Sequence, residues 1–191
     1  HFKHLGVDTI QLMPTAAWID EGHLPALGLT NAWGYNPVAY FAIDPRLAPH
    51  GPQELRVMTD LYRKNGISVI LDVVYNHFGP KGNYLAVYTP LTTDKHETPW
   101  GPAVNFDAHG STTIRDYVFS NARYWLNEYH LDGLRFDAVH EIRDNGPRHM
   151  LQDLAEQIRS STDGRHIHLV AENSDNQAGW LKRRDDGTTW F

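Results

Sequence analysis

Asp137 lies in the run Gly133-Leu-Arg-Phe-Asp-Ala-Val-His140, two residues after Arg135. On a strand, residues two apart share a face, so this spacing sets a guanidinium beside a carboxylate. Such a cation keeps a carboxylate ionised and aimed. An earlier run, Asp72-Val-Val-Tyr-Asn-His77, and a later one, His166-Ile-His-Leu-Val-Ala-Glu172, also end strand-like segments. Two acids at the ends of successive strands, one held ionised and one in an apolar setting, are what glycosidic bond cleavage needs. From local sequence alone, Asp137 reads equally as half of a structural Arg–Asp pair. From local sequence alone, Glu172 reads better as an acid capping the turn after its strand.

The elements that must position these acids alternate along the chain. Val7-Asp-Thr-Ile-Gln-Leu12 reads as a short strand closed by Pro14, followed by a long loop from Thr15 to His50. The stretch from Gly51 to Lys64 reads as a helix, with Pro52 in its first turn, Leu55, Met58 and Leu61 as its apolar stripe, and Asn65-Gly66 as its stop. Ile67-Ser-Val-Ile-Leu-Asp-Val-Val74 is rich in β-branched residues, as in a strand buried on both faces. A second long loop runs from Tyr75 to about Gly110. Ser111 is placed to cap a helix over Thr112–Tyr129, whose Ile114, Tyr117, Val118, Ala122, Trp125 and Leu126 keep helical spacing. A strand at Leu131–Phe136, a helix at Pro147–Ser161 and a strand at Ile167–Ala171 complete the order. Strand–helix alternation implies an α/β fold with a parallel sheet, either doubly wound or a (β/α)₈ barrel. The first strand is followed by no Gly-rich phosphate turn, and the long aromatic-rich loops all follow strands, where barrel enzymes build their sites. Four strands in 191 residues are about half of a barrel that usually takes about 250.

Composition narrows the function classes. A net charge of −6 argues against a nucleic-acid surface. No apolar run approaches the length of a membrane span. The absence of Cys excludes disulfides, thiolate metal sites and a Cys nucleophile. Six Trp and nine Tyr suit core packing, and in loops they also suit stacking on the flat apolar faces of sugar rings. The first residues, His1-Phe-Lys-His-Leu-Gly6, read as the tail of a helix without an initiator Met, as in a segment cut from a longer chain.

These motifs together resemble the α-amylase family of glycoside hydrolases and transglycosidases. DVVYNH at 72–77, GLRFDAVH at 133–140 and HLVAEN at 168–173 are similar to three of its signatures, and Trp33-Gly34-Tyr35 resembles a segment that supplies a stacking Tyr. The resemblance implies that the four strands are barrel strands 2 to 5 of a partial TIM barrel. Residues 1–191 are then a fragment of the catalytic barrel, and 75–110 a shortened excursion after strand 3. The stretches Asn76–Tyr84, Thr98–Asp107 and Pro147–Leu151 are most similar to trehalohydrolase-type members, whereas Gly28–Pro37 is closer to debranching, isoamylase-type members.

The roles the resemblance implies are specific. Asp137 is the expected nucleophile of a configuration-retaining mechanism, held ionised by Arg135, and Glu172 the expected general acid in an apolar surround. His77 is expected to bond sugar hydroxyls, and Tyr35 to stack on the same ring. Asp72, counted with the substrate-binding set, faces the barrel interior where it can pair with Arg135. His140, with Trp100 and Asn105 of the second loop, is expected to line an acceptor subsite. Asn76 matches a position that binds Ca²⁺ in some members, but the short excursion implies no metal and no cofactor. His166 and His168 are a weak metal signal.

The expected activity is retaining hydrolysis of an α-1,4 bond in an α-glucan, trehalohydrolase-like. The alternatives are α-1,6 debranching or branching transglycosylation, and a non-catalytic fold member. The family's third acid, an Asp preceded by His, has no counterpart among these residues. The 191 residues by themselves are therefore expected to be inactive until the rest of the parent chain closes the barrel. Membrane and nucleic-acid partners are not expected, and a cytoplasmic location is.

Overall fold

The structure is a computed structural model and describes residues 1–31, 33–183 and 189–191. Strand β1 spans Thr9–Leu12, β2 Ala16–Trp18, and β3 Pro37–Ile43, with a short helix α1, His23–Ala26, between β2 and β3. Helix α2, Gln53–Lys64, leads into β4, Ser68–Val73. Strands β5, Thr92–Thr98, and β6, Gly101–Val104, precede helix α3, Ser111–Glu128. Strand β7, Gly133–Phe136, helix α4, Met150–Ser160, and strand β8, His168–Ala171, follow.

Four of these strands form one parallel sheet in the order β1-β4-β7-β8, with β2–β3 and β5–β6 as separate antiparallel pairs. The parallel strands follow one another in chain order with no reversal. A doubly wound sheet reverses its order at a switch point, so this sheet winds one way and is part of a (β/α)₈ barrel.

The sequence explains the layers. Residues Val69–Val73 of β4 are all buried, as expected of a central parallel strand covered on both faces. In α3, Ile114, Val118, Ala122, Trp125 and Leu126 form the buried stripe, while Tyr117 is half-buried. In α4, Met150, Leu151, Leu154, Ala155 and Ile158 are sealed off completely. Burying each large side chain of that row stabilises the fold by roughly 1.5–3 kcal/mol. The stripe of α2 differs from expectation. Leu61 is exposed, and the inward line is Leu55, Met58, Thr59 and Tyr62, the i, i+3, i+4, i+7 pattern from which Leu61 is a step off. The Thr59 hydroxyl is buried there because it donates to the carbonyl of Tyr129 at 2.7 Å.

Both long loops carry structure of their own. Thr15–His50 contains the β2–β3 hairpin, because Pro37-Val-Ala-Tyr-Phe-Ala-Ile43 is rich in strand formers. The excursion at 75–110 contains the β5–β6 hairpin. Ser111 is the first helical residue rather than the cap. Gly110, at φ +77°, takes the cap position, and no side chain bonds there.

Candidate active site

Register creates the site. Asp72 of β4 pairs across the sheet with Arg135 of β7, and Phe136 pairs with Ala171 of β8. The pattern continues one residue beyond the strand ends, where Asp137 N–H donates to Val73 C=O and Glu172 N–H to Phe136 C=O. Asp137 and Glu172 therefore leave adjacent strands at the same height, on the C-terminal rim where a barrel builds its chemistry.

Arg135 is the hub. Its Nη1 donates to Asp72 Oδ2 at 2.6 Å and to Asp137 Oδ1 at 3.2 Å, and its Nη2 lies 3.8 Å from Glu172 Oε2. One guanidinium thus faces three carboxylates. Burial works against the Arg135 cation, but Asp72 and Asp137 outweigh it and hold its pKa above the usual value.

Asp137 is gripped from a second side. The amide of Asn76 donates to its Oδ2 at 2.9 Å and to its backbone carbonyl at 2.7 Å. Its pKa departs from expectation. Burial pushes the carboxyl up, and the charge of Glu172 adds to this, while Asn76 and Arg135 pull it back without cancelling the rise. Arg135 does sit where the two-residue spacing puts it, but desolvation of a side chain only 16% exposed is the larger effect.

Glu172 is held by the turn after β7. Ala138 adopts φ +42°, rare for a residue with a side chain, and its N–H donates to Glu172 Oε2 at 2.7 Å. Val139 N–H donates to the Glu172 carbonyl at 2.9 Å. The surround is not the apolar one expected. The side chain is 35% exposed, Val170 is exposed, and the groups in reach are Ala138 N–H, the Ser174 hydroxyl and Arg135.

His77 is buried, and its ring stacks on Trp100 with centroids 4.2 Å apart and planes within 5°. Its Nδ1 faces the amide oxygen of Asn76, whose nitrogen is engaged by Asp137, so in the neutral ring Nδ1 carries the proton. Nε2 has no hydrogen-bond partner among the described residues. Burial lowers the pKa to about 4, with the Tyr35 backbone opposing, so the ring is neutral at pH 7.

These groups share one cleft of about 500 Å³, lined by Glu21, Tyr35, Asn36, His77, Trp100, Asp137, Ala138, His140, Glu172 and Ser174. Tyr35 owes its place to Gly34. At φ +78°, a Cβ on Gly34 would come within 2.4 Å of the Pro14 carbonyl, so only glycine makes this turn. The Tyr35 hydroxyl donates to Asp72 Oδ2 at 2.7 Å, and burial together with that bond pushes its pKa up to about 12.

Two expected substrate contacts fall elsewhere. Asp72 is outside the cleft, 2% exposed and bonded to Arg135 and Tyr35 beneath it. Its pKa is raised by burial despite both partners. Asn105 is 1% exposed and staples the excursion, donating to the carbonyls of Pro90 and His109 and accepting from Ala108 N–H. His140 does line the cleft, and its Nδ1 accepts from Ser174 N–H at 3.3 Å. Glu21, Asn36, Ala138 and Ser174 were not foreseen as lining residues. Asn76 was noted only as a possible Ca²⁺ ligand, whereas its amide group holds Asp137 and His77. Among the described residues, no group of three or more His, Asp or Glu side chains converges as a metal site. No described helix is long and apolar enough to cross a membrane.

No family model matches the chain. Curated relatives do. The chain is 41% identical over 158 residues to a malto-oligosyltrehalose trehalohydrolase of Saccharolobus solfataricus, a match over 83% of this chain and 26% of that protein. It is 34% identical over 185 residues to the glycogen operon protein GlgX homolog of Haemophilus influenzae, covering 90% of this chain and 28% of that one. Among solved structures, an assigned alpha amylase from Salmonella typhimurium superposes with a TM-score of 0.84 at 37% identity, over all of this chain and 30% of that one. The chain therefore spans under a third of the length of these proteins.

Proposed function

This chain belongs to the α-amylase family, and from that premise we propose that it supplies the nucleophile and acid of a retaining α-glucan hydrolase of trehalohydrolase type. One observation carries the reading: Asp137 and Glu172 flank a single guanidinium on adjacent strand ends, in one open cleft. Residues 1–191 are then part of the catalytic barrel, with 75–110 as an excursion that lends Trp100 to the cleft.

The proposed chemistry follows from the contacts. Asp137, aimed by Asn76 and Arg135, attacks the anomeric carbon of a glucosyl unit while Glu172 gives its proton to the leaving oxygen. A glycosyl ester to Asp137 results. Glu172, now ionised, takes a proton from water, which opens the ester and restores both acids. Both groups must start in the right state, Asp137 ionised and Glu172 protonated. The neutral His77 offers Nε2 as an acceptor for a sugar hydroxyl, and Tyr35 offers its ring face. The substrate class is α-glucan, and a cytoplasmic location belongs to the same proposal.

A second reading is debranching of α-1,6 bonds or transfer to form branches. It is favoured by the loop Gly28–Pro37 and by the GlgX homolog among the relatives. The test uses the full-length protein, incubated with malto-oligosyltrehalose and with a branched glucan, and products identified by chromatography. Free trehalose from the first substrate supports the trehalohydrolase reading. Linear oligosaccharides from the second, with no trehalose from the first, replace it by debranching. No product from either removes both.

A further inference from the structure

Asp107 is a buried carboxylate outside the cleft that the proposed chemistry leaves unused. Its side chain has no exposed surface. Its Oδ2 accepts from Lys95 Nζ at 2.8 Å and from Asn145 N–H at 2.7 Å, and faces His96 Nε2 at 2.8 Å. Burial pushes its pKa up, but Lys95, His96 and the Asn145 N–H outweigh it and bring it down to about 2, so the group is ionised at neutral pH. The whole grip falls on one oxygen, since Oδ1 is buried with no hydrogen-bond partner among the described residues. Three segments meet at this oxygen. Lys95 and His96 belong to β5, Asp107 follows β6, and Asn145 lies in the loop between β7 and α4.

The register of the β5–β6 hairpin shows what this knot holds. Thr92 pairs with Val104 and Thr93 with Ala103 at the root, and Glu97 pairs with Pro102 and Thr98 with Gly101 at the tip. Ala103 and Pro102 are adjacent, so Asp94, Lys95 and His96 bulge out between the two ladders. The root is packed, with Leu91, Ala103, Val104 and Asn105 buried. The tip is not. Glu97, Pro99, Trp100 and Pro102 are exposed. The Thr98 hydroxyl donates to the Gly101 carbonyl at 2.9 Å and accepts from Trp100 N–H at 3.2 Å, both within the tip itself. Pro102 has no N–H to give to the tip ladder. The angle between root and tip is therefore set at the bulge, where two of the three residues are bound to Asp107. Trp100 rides on that tip, parallel to His77 at 4.2 Å.

We propose that Asp107 is a positioning residue: by holding the bulge of β5 against Asn145, it sets the indole of Trp100 on His77 and keeps that wall of the cleft ordered before substrate arrives. Its effect on turnover rests on the α-glucan reading, whereas its effect on the His77–Trp100 stack does not. Charge-assisted hydrogen bonds are the strong class, so loss of the charge at 107 frees the bulge and with it the tip. A loose tip must be ordered again by the substrate, and that ordering weakens binding. Asp107 lies outside the cleft that holds Asp137 and Glu172, so bond cleavage itself is spared.

The test compares the full-length protein with D107N, K95M, W100A and W100A/D107N. One readout is the NMR position of the His77 ring protons at neutral pH, which the ring current of the stacked indole displaces. The other is kcat and KM on malto-oligosyltrehalose. D107N should carry the His77 signals at least halfway to their place in W100A, and raise KM about fivefold with kcat within twofold. K95M, which removes one donor, should move both in the same direction by less. The double variant should be no worse than W100A, because Asp107 acts through Trp100. His77 signals that stay at the wild-type position in D107N, or losses that multiply in the double variant, overturn the proposal. If D107N does not fold, K95M decides by the same criterion, since its side chain is 46% exposed and its loss leaves the core intact. A wild type inactive on every glucan removes the α-glucan reading, and the His77 signals still decide the role of Asp107.

Discussion

Replacing Arg135 by Met would leave Asp72, Asp137 and Glu172 facing one another without the cation that now lies 2.6, 3.2 and 3.8 Å from them. Removing one partner of a buried ion pair costs about 3–5 kcal/mol. The Arg135 side chain is 17% exposed, so the lower end of that range applies. If most of the loss falls on the placement and ionisation of Asp137, kcat/KM drops about 100-fold at neutral pH, because each 1.4 kcal/mol is a factor of ten. The sign of the pH effect is fixed by the contacts. Burial and Glu172 already raise the pKa of Asp137, and Arg135 is one of the groups that restrain it. Without Arg135 the carboxyl rises further, so the acid limb of the kcat/KM profile must move to higher pH, and part of the deficit must return as pH increases. Arg135→Lys keeps a charge near Asp137 but loses the fork that also faces Glu172, so it should fall between wild type and Met. The assay is kcat/KM of the full-length protein across the pH range in which it folds, with circular dichroism at each pH. A uniform loss with the acid limb unmoved would refute the electrostatic role of Arg135. Activity within threefold of wild type would refute the assignment of Asp137.

Other outcomes follow from single contacts. Asp137→Asn in the full-length protein should lower turnover at least 1000-fold on every glucan, measured by reducing-sugar release. Glu172→Gln should be as severe on natural glucans yet recover most activity on α-glucosyl fluoride, whose leaving group needs no proton. Trp100→Ala should uncover the His77 ring and return its pKa from about 4 towards 6.5, read by NMR titration of its ring protons. Because the folded value lies below the ordinary one, neutral His77 favours the fold above pH 6.5, and this contribution of at most about 3 kcal/mol is lost as pH falls through 4. Trp100→Ala should therefore make stability less sensitive to acid over that window, measured by denaturant titration at both ends. Gly34→Ala should lower the melting temperature and raise KM together, because its new methyl meets the Pro14 carbonyl and displaces Tyr35.

The placement of the proposed catalytic pair was legible because strand register is a short-range code. Arg135 and Asp137 share a face by their spacing, and Asp72 reaches Arg135 because both sit on buried strands that pair in register. The four parallel strands and the three longer helices were readable from periodicity for the same reason. What escaped was set by tertiary environment. Whether Arg135 or burial dominates Asp137 depends on desolvation, which no local pattern reports. Asn76 stood in a quoted motif, yet its two contacts, to Asp137 and His77, need the fold to be seen. Asn105 and Trp100 lie in the same excursion and read alike, but one is sealed within the loop and the other stacks over the cleft. Glu21 sits among Gly, Pro and Leu in a stretch without periodicity, and only the brace from Arg46 through Asp20 gives it a fixed place.

The two acids are held by different contacts, and the difference suits each to the role proposed for it. Asp137 follows β7 and is gripped between Asn76 and Arg135. A nucleophile benefits from that rigidity, since attack demands fixed alignment with the anomeric carbon. Glu172 follows β8, and its carboxylate faces Ser174 and the cleft. A group that must first give a proton to a departing oxygen and then take one from an entering water needs such access. The strained Ala138 turn joins the two demands, because it runs directly on from Asp137 and its N–H reaches the acid. Exchanging the two side chains, Asp at 172 and Glu at 137, would preserve charge and register but put the longer arm in the crowded place, and turnover should not survive it.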